Sequence, residues 1–154
     1  MRQRWWLAFM AGVLWGSCGV WAAASPDTPN VAQVDLQQEF QCPTGGQSAV
    51  IPDLRLSVQT FGNPVLVMFI LNFQASPTGN INMRPVIDGQ PLIGDQLDRA
   101  VGDFLGQRDI LPFTRFYTLP AGLHTFGVEM TCQAGISVFN GWMTVSELPP
   151  AKLK

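Results

Sequence analysis

Few residues in this chain combine in a way that supports chemistry. His124 is the only histidine among the 154 residues. A Ser-His-Asp arrangement of the hydrolase kind sets its serine in a Gly-x-Ser-x-Gly elbow, and the sequence has none. His124 instead alternates with Phe126 and Val128, directly after Pro120-Ala121-Gly122, and reads as a rim residue capping an apolar face. Asp95, Asp98, Asp103 and Asp109 share one stretch, Gly94 to Pro112. Clustered carboxylates on a loop are what calcium takes, so these four are the calcium candidates. A pair of them is also what a glycoside hydrolase would need. Arg99 and Arg108 are interleaved with them and the spacing does not follow an EF-hand loop, so solvated loop charge explains them more simply. Thioethers suit Cu(I). Met68, Met83, Met130 and Met143, however, fall on apolar strand positions without a paired histidine, which is how core methionines are placed. No metal or other cofactor is expected.

Arg115, Tyr117 and Trp142 are the polar and aromatic residues near expected strand ends. Rings of this kind stack on sugars. These three, with the 94–112 segment, are the candidate site for a carbohydrate or another small ligand.

The cysteines bear on compartment. Arg2 and Arg4 precede an apolar run, Trp5 to Trp15, and Ala22 and Ala24 then form an A-x-A site, which is the layout of a signal peptide cleaved after Ala24. The alternative is lipidation at Cys18, because Trp15-Gly16-Ser17-Cys18 partly resembles a bacterial lipobox. Cleavage after Ala24 removes Cys18 and leaves Cys42 and Cys132, an even pair for one disulfide in an oxidising compartment. The expected location is secreted or periplasmic.

The remaining chain divides into a polar leader, 25–30, one domain, 31–148, and a flexible tail, 149–154. With 9 Lys and Arg against 11 Asp and Glu over the full 154 residues and no basic stripe, the protein lacks the electrostatic footprint of a nucleic-acid binder. Scarce charge (13%) with abundant Gly and Pro suits a β-rich exported domain.

Patterning agrees. Leu54, Leu56 and Val58 alternate with Arg55, Ser57 and Gln59; Ile81, Met83 and Ile87 alternate with Asn82 and Arg84; Phe126, Val128, Met130 and Cys132 alternate with Thr125, Glu129 and Thr131. Such period-two runs are strands with one buried and one wet face. Turn signals separate them: Pro77-Thr78-Gly79-Asn80, Asp88-Gly89, Pro120-Ala121-Gly122 and Asn140-Gly141. Pro85 suggests an edge position for its strand. The segment YTLPAGLHTFGVEM resembles the late strand–turn–strand of secreted jelly-roll and adhesin-like modules; the resemblance covers that hairpin and brings no site residue with it. The fold class expected is all-β: a single jelly-roll-like β-sandwich of about eight or nine antiparallel strands.

One strand breaks the alternation. Val65 to Leu71 is uninterrupted apolar sequence, too short to cross a bilayer as a helix. One face of it goes to the core, so Leu66, Met68 and Ile70 on the other need a cover. The candidates are the 94–112 segment, as an amphipathic helix or as loop plus strand, and a second subunit. The function that follows is a non-catalytic interaction module, structural or adhesive, self-associating through Leu66, Met68 and Ile70. A glycan or small-ligand module is the alternative, and a hydrolase using the loop aspartates a further one.

Overall fold

The computed structural model describes residues 30–149 except 44, 76–78, 96, 102–107 and 133–134. Those residues form ten strands: β1 (Asn30–Asp35), β2 (Phe40–Gln41), β3 (Ser48–Phe61), β4 (Pro64–Ala75), β5 (Gly79–Ile87), β6 (Gln90–Pro91), β7 (Leu97–Val101), β8 (Arg108–Thr118), β9 (Ala121–Cys132) and β10 (Ile136–Glu147). A 3-10 turn, Ile93–Asp95, is the helical element among the described residues.

Two antiparallel sheets result. One runs β1-β10-β4-β8 with β2 also on β10; the other runs β3-β9-β5-β6 with β7 also on β5. Setting aside the two-residue strands β2 and β6, the other eight pair first with last (β1 and β10), second with seventh (β3 and β9), third with sixth (β4 and β8) and fourth with fifth (β5 and β7). That nested pairing, split over two sheets, is a jelly roll. The fold is therefore the sandwich expected from the patterning, with ten described strands where the turn spacing suggests eight or nine.

The alternating positions build the core. Leu54 and Val58 of β3, Ile81, Met83 and Ile87 of β5, and Phe126, Val128, Met130 and Cys132 of β9 are all buried. They meet Val65, Val67, Phe69, Leu71 and Phe73 of β4 and Leu111 and Phe113 of β8 from the opposite sheet. Phe69 and Phe113 stack with centroids 4.5 Å apart across the β4–β8 pair. Cys42, next to β2, bonds Cys132 at the end of β9, so the disulfide joins the two sheets. Glu147 is buried beneath the β3–β4 turn, where its Oε1 accepts from the backbone N–H groups of Phe61 (2.7 Å) and Asn63 (2.9 Å).

Two local expectations are corrected, and one open alternative is decided. Asn140-Gly141 is no hairpin. It lies inside β10, beside a register shift between Val138 and Asn140. Gly141 sits where an added Cβ would lie 2.6 Å from Leu71 Cδ2 and 2.9 Å from the Ile70 carbonyl oxygen, so the glycine serves a close approach of strands and not a turn. Pro85 is not on an edge strand, since β5 pairs β9 on one side and β6 and β7 on the other. β7 pairs Gly79–Met83 and β6 pairs Val86–Ile87, so Pro85 falls in the gap between them. Its carbonyl accepts from Leu92 on that side, and the missing N–H therefore points to where no ladder partner stands. Finally, the 94–112 segment is loop plus strand in its described part: β7 extends one sheet and β8 the other.

Candidate functional site

The outer face of the β1-β10-β4-β8 sheet is a grid that the register makes explicit. Val31, Ser146, Leu66 and Phe116 form one row across the four strands. Gln33, Thr144, Met68 and Thr114 form the next, and Asp35, Trp142, Ile70 and Pro112 the third. Asn140, Asn72 and Ile110 continue it over three strands. Leu66, Met68, Ile70 and Trp142 are half-buried by their neighbours, while Val31, Phe116 and Ile110 are 59%, 61% and 54% exposed. Asp35, at the margin, is the charged side chain of the three complete rows. Within the described part of 94–112, β7 and β8 are in-plane strands, and neither lies over Met68.

β8 explains why this face is apolar. Its sequence ILPFTRFYT puts Leu111, Phe113, Arg115 and Tyr117 on the inward side and Ile110, Pro112, Thr114 and Phe116 on the outward side. Both faces of β8, like both faces of β4, carry large apolar residues. The missed face residues Ile110, Pro112 and Phe116 had that signal: β8, too, fails to alternate polar with apolar.

The three ligand candidates do not converge. Trp142 is on the outer face, opposite Ile70. Tyr117 and Arg115 lie on the other side of their sheet, where Tyr117 Oη donates to Asp95 Oδ2 at 2.7 Å and Arg115 Nε lies 3.5 Å from Asp95 Oδ1. This clasp fastens the 3-10 turn of one sheet to β8 of the other. Burial, and then the carboxylate beside it, push the Tyr117 phenol well above its ordinary range. The carboxylate of Asp95 is thus occupied by protein. Asp98 and Asp109 have backbones in different sheets, β7 and β8, and Asp103 lies outside the described residues. Among the described residues no group of three His, Cys, Asp or Glu side chains is placed to hold a metal ion.

His124 is buried and fully engaged. Its Nδ1 lies 2.7 Å from Asp88 Oδ2 and its Nε2 3.0 Å from the Pro120 carbonyl oxygen. Both partners are acceptors, so the ring satisfies both only as the doubly protonated imidazolium. The Asp88 hydrogen bond, and next the Pro120 carbonyl, accordingly raise the His124 pKa. Asp88 also accepts from Thr125 N–H at 2.8 Å; that bond, then His124, lowers its own pKa. Asp88 and Gly89 have φ of 52° and 76°, the left-handed pair of a tight hairpin, so the His124–Asp88 pair locks the β5–β6 turn onto β9.

The outer face of the other sheet is more polar, although Leu123, opposite Gln59, is 68% exposed on it and Val50 and Val86 lie on it too. Ser57, Gln59, Thr125, Thr131, Asn82, Arg55 and the Arg84–Glu129 ion pair face outward there.

No protein-family model and no curated protein matches the sequence. Solved structures match in shape. The structure of infectious bursal disease virus, Gx strain, superposes with a TM-score of 0.58 at 15% identity, over 82% of this chain and 33% of that one. The VP2 subviral particle of the same virus gives 0.55 at 16% identity, over 79% of this chain and 33% of that one. A carbohydrate-binding module from Cellvibrio mixtus lichenase 5A, solved with cellotriose, gives 0.41 at 11% identity, over 77% of this chain and 98% of that one. The chain spans about a third of the viral chains, and what it has in common with them is the fold, a jelly-roll β-sandwich.

Proposed function

We propose that this protein is an exported, non-catalytic jelly-roll module that self-associates, two copies stacking through the outer face of the β1-β10-β4-β8 sheet. The observation that carries the reading is the grid itself: Leu66, Met68, Ile70, Phe116, Pro112 and Trp142 are contiguous on a wall with almost no charge. A face without charge has no electrostatic preference for a foreign partner, and it meets its own copy without like-charge repulsion. Four strands about 4.8 Å apart and four rows about 6.8 Å apart make a patch of about 19 by 27 Å. Two stacked copies therefore bury about 1,000 Å², at the lower limit for a specific interface. The dimer is accordingly weak and concentration-dependent.

Two further observations support the rest of the reading. The Cys42–Cys132 bond fits an oxidising compartment, in line with the signal-peptide layout of residues 1–24. The histidine that would serve an acid–base reaction has both ring nitrogens committed to the fold. The viral neighbours include a protein named as a subviral particle; at that identity the likeness is one of fold, and self-association here rests on the apolar grid. Sedimentation equilibrium over a wide concentration range tests it: a reversible monomer–dimer equilibrium is expected, and a monomer at every concentration refutes it.

A further inference from the structure

The outer face of the β3-β9-β5 sheet holds a cavity of ≈ 180 Å³ whose lining includes Val50, Arg55, Val86 and Thr125, with Phe126 and Gly127 at its floor. The register explains the gap. Arg55, Gly127 and Val86 form one row across the three strands, and Val50, Glu129 and Arg84 form the next. Gly127 leaves the centre of its row without a side chain. β3 bulges beside it: four residues, Ile51 to Leu54, intervene between Val50 and Arg55, whereas one residue separates their partners Glu129 and Gly127. The bulge thus sets Val50 and Arg55 in adjacent rows, around the place that a side chain at 127 would fill. The fold itself does not demand this glycine. Its φ is not left-handed, and an added Cβ would meet Val50 Cγ1 at 3.5 Å, the Leu54 carbonyl oxygen at 3.6 Å and Arg55 Cγ at 3.7 Å, all ordinary contacts. A glycine inside a strand weakens it, and close approach of a ligand is one of the reasons such a residue is kept.

We propose that this cavity binds an aromatic monocarboxylate of one ring, benzoate in its simplest form. Volume sets the size. An apolar cavity of about 150 Å³ accepts one benzene ring, so ≈ 180 Å³ takes a ring and little more. Val50 and Val86 supply apolar walls, and a rigid ring fills the space without rotors to order, unlike a flexible chain of equal volume. Arg55 sets the charge. It is exposed and has no hydrogen-bond or ion-pair partner among the described residues. Its planar guanidinium can hold a carboxylate through two parallel bonds. The neighbouring charges are already engaged. Arg84 pairs with Glu129 in the next row, and Asp88, which accepts from Thr125 N–H, pairs with His124. Asp53, two residues before Arg55, accepts from the Gln38 N–H. Asp98 stands opposite Asn82, two rows from Arg55. That is about 14 Å along the strands, beyond the screening length of about 8 Å. The Arg55 guanidinium is therefore left with its donors free at an apolar cavity. Neither half of the ligand suffices alone, because so small a cavity holds a neutral ring poorly and an exposed guanidinium holds a carboxylate weakly.

The site does not depend on self-association. It lies on the sheet opposite the proposed dimer face, so a dimer joined through that face leaves both cavities open to solvent.

The test is nuclear magnetic resonance of the ¹⁵N-labelled protein titrated separately, at matched ionic strength, with sodium benzoate, benzyl alcohol and sodium acetate. Benzoate is expected to produce saturable shifts at the backbone amides of Arg55, Val86, Thr125 and Gly127, with a dissociation constant of about 1–20 mM. Benzyl alcohol keeps the ring without the charge, and acetate keeps the charge without the ring; each should bind at least about fivefold more weakly. Arg55→Gln should weaken benzoate at least about fivefold and leave benzyl alcohol unchanged. Gly127→Ala puts a methyl into the cavity and should weaken both; if that variant fails to fold, Arg55→Gln, at an exposed position, decides. The inference is overturned by no saturable response to benzoate at these residues, by acetate or benzyl alcohol binding as tightly as benzoate, or by undiminished benzoate binding in either folded variant.

Discussion

The most decisive perturbation of the apolar face is Met68→Glu. Met68 is central in the grid, between Leu66 and Ile70 along β4 and between Thr144 and Thr114 across the sheet. In the monomer it is half-buried, and the side chains of its row are uncharged. A glutamate there reaches water, and its cost should stay within about 1 kcal/mol, as for other partly exposed strand positions. The dimer responds differently. A two-fold contact through this face brings both copies of residue 68 into the interface, and the three complete rows carry no cation to pair with them. A buried charge left unpaired costs about 3–5 kcal/mol, so two copies cost at least about 6 kcal/mol. That is more than about 10⁴-fold in dissociation constant. Sedimentation equilibrium from about 1 to 300 μM reads the effect against the micromolar affinity that about 1,000 Å² supports. The wild type should shift from monomer to dimer over that range, Met68→Leu should do so within about tenfold of it, and Met68→Glu should remain a folded monomer with unchanged circular dichroism. Urea denaturation of dilute protein completes the assay. If Met68→Glu loses several kcal/mol as a monomer, the cover is intrachain; if it dimerises like the wild type, the face is not the interface. Either result refutes the reasoning.

Three other outcomes follow from the fold. The disulfide closes a loop of 90 residues, for which loop-closure entropy gives about 4–5 kcal/mol; Cys42→Ala with Cys132→Ala should lower unfolding stability by close to that amount, and mass spectrometry after non-reducing alkylation should find neither thiol free. Gly141→Ala should cost about 1–3 kcal/mol by overpacking, toward the upper end because the Ile70 carbonyl it meets is backbone, with the loss read in urea midpoints. The His124–Asp88 pair should make stability bell-shaped in pH. His124, with its pKa raised, contributes fully below about 6.5 and loses its contribution as pH rises through the raised folded value; Asp88, with its pKa lowered, contributes above 3.8 and loses its contribution as pH falls through the lowered one. The pair's contribution is therefore largest between about pH 4 and 6.5, and His124→Gln should flatten the alkaline limb, whereas a difference from wild type that is constant in pH would count against the pair.

Legibility in the sequence followed the period of the side chains. Where one face of a strand is wet, as in β3, β5 and β9, alternation named the core residues one by one, and Leu54, Val58, Met83, Phe126 and Met130 are where the pattern put them. The cysteine pair was legible from the parity that the expected cleavage after Ala24 leaves. The Asn140-Gly141 misreading has a physical source: Asn-Gly favours a two-residue turn locally, but in β10 the glycine is required by the approach of Leu71, and that contact is 70 residues away in sequence. Pro85 misled for a similar reason, because a gap between two different partner strands cannot be seen from the strand that faces it. Tyr117, Arg115 and Asp95 were all noticed, yet as members of two different sites, ring binding and calcium. Their union in one clasp depends on β8 crossing to the sheet opposite the 3-10 turn.

A polar cavity lined by Ser48, Asn82, Arg84 and Thr131 was the least legible feature. Asn82, Arg84 and Thr131 were read as wet-face residues and correctly placed, and nothing in their own strands shows that they line a cavity. The cavity arises only when β3, β5 and β9 bring Ser48, Thr131 and Asn82 into one row and set an ion pair beside them. The apolar face of β4 is the converse case. Its excess of hydrophobic residues is visible in Val65–Leu71 alone, because burying one face of a strand uses only every second residue. The surplus is the reason for proposing a contact on the second face. What that contact is depends on Phe116 and Pro112 of β8 and Trp142 of β10 standing in the same rows, uncharged and level with one another. A surplus of apolar residues in one strand calls for a cover, and an uncharged surplus continued across neighbouring strands is the ground for proposing a second copy of the same sheet as that cover.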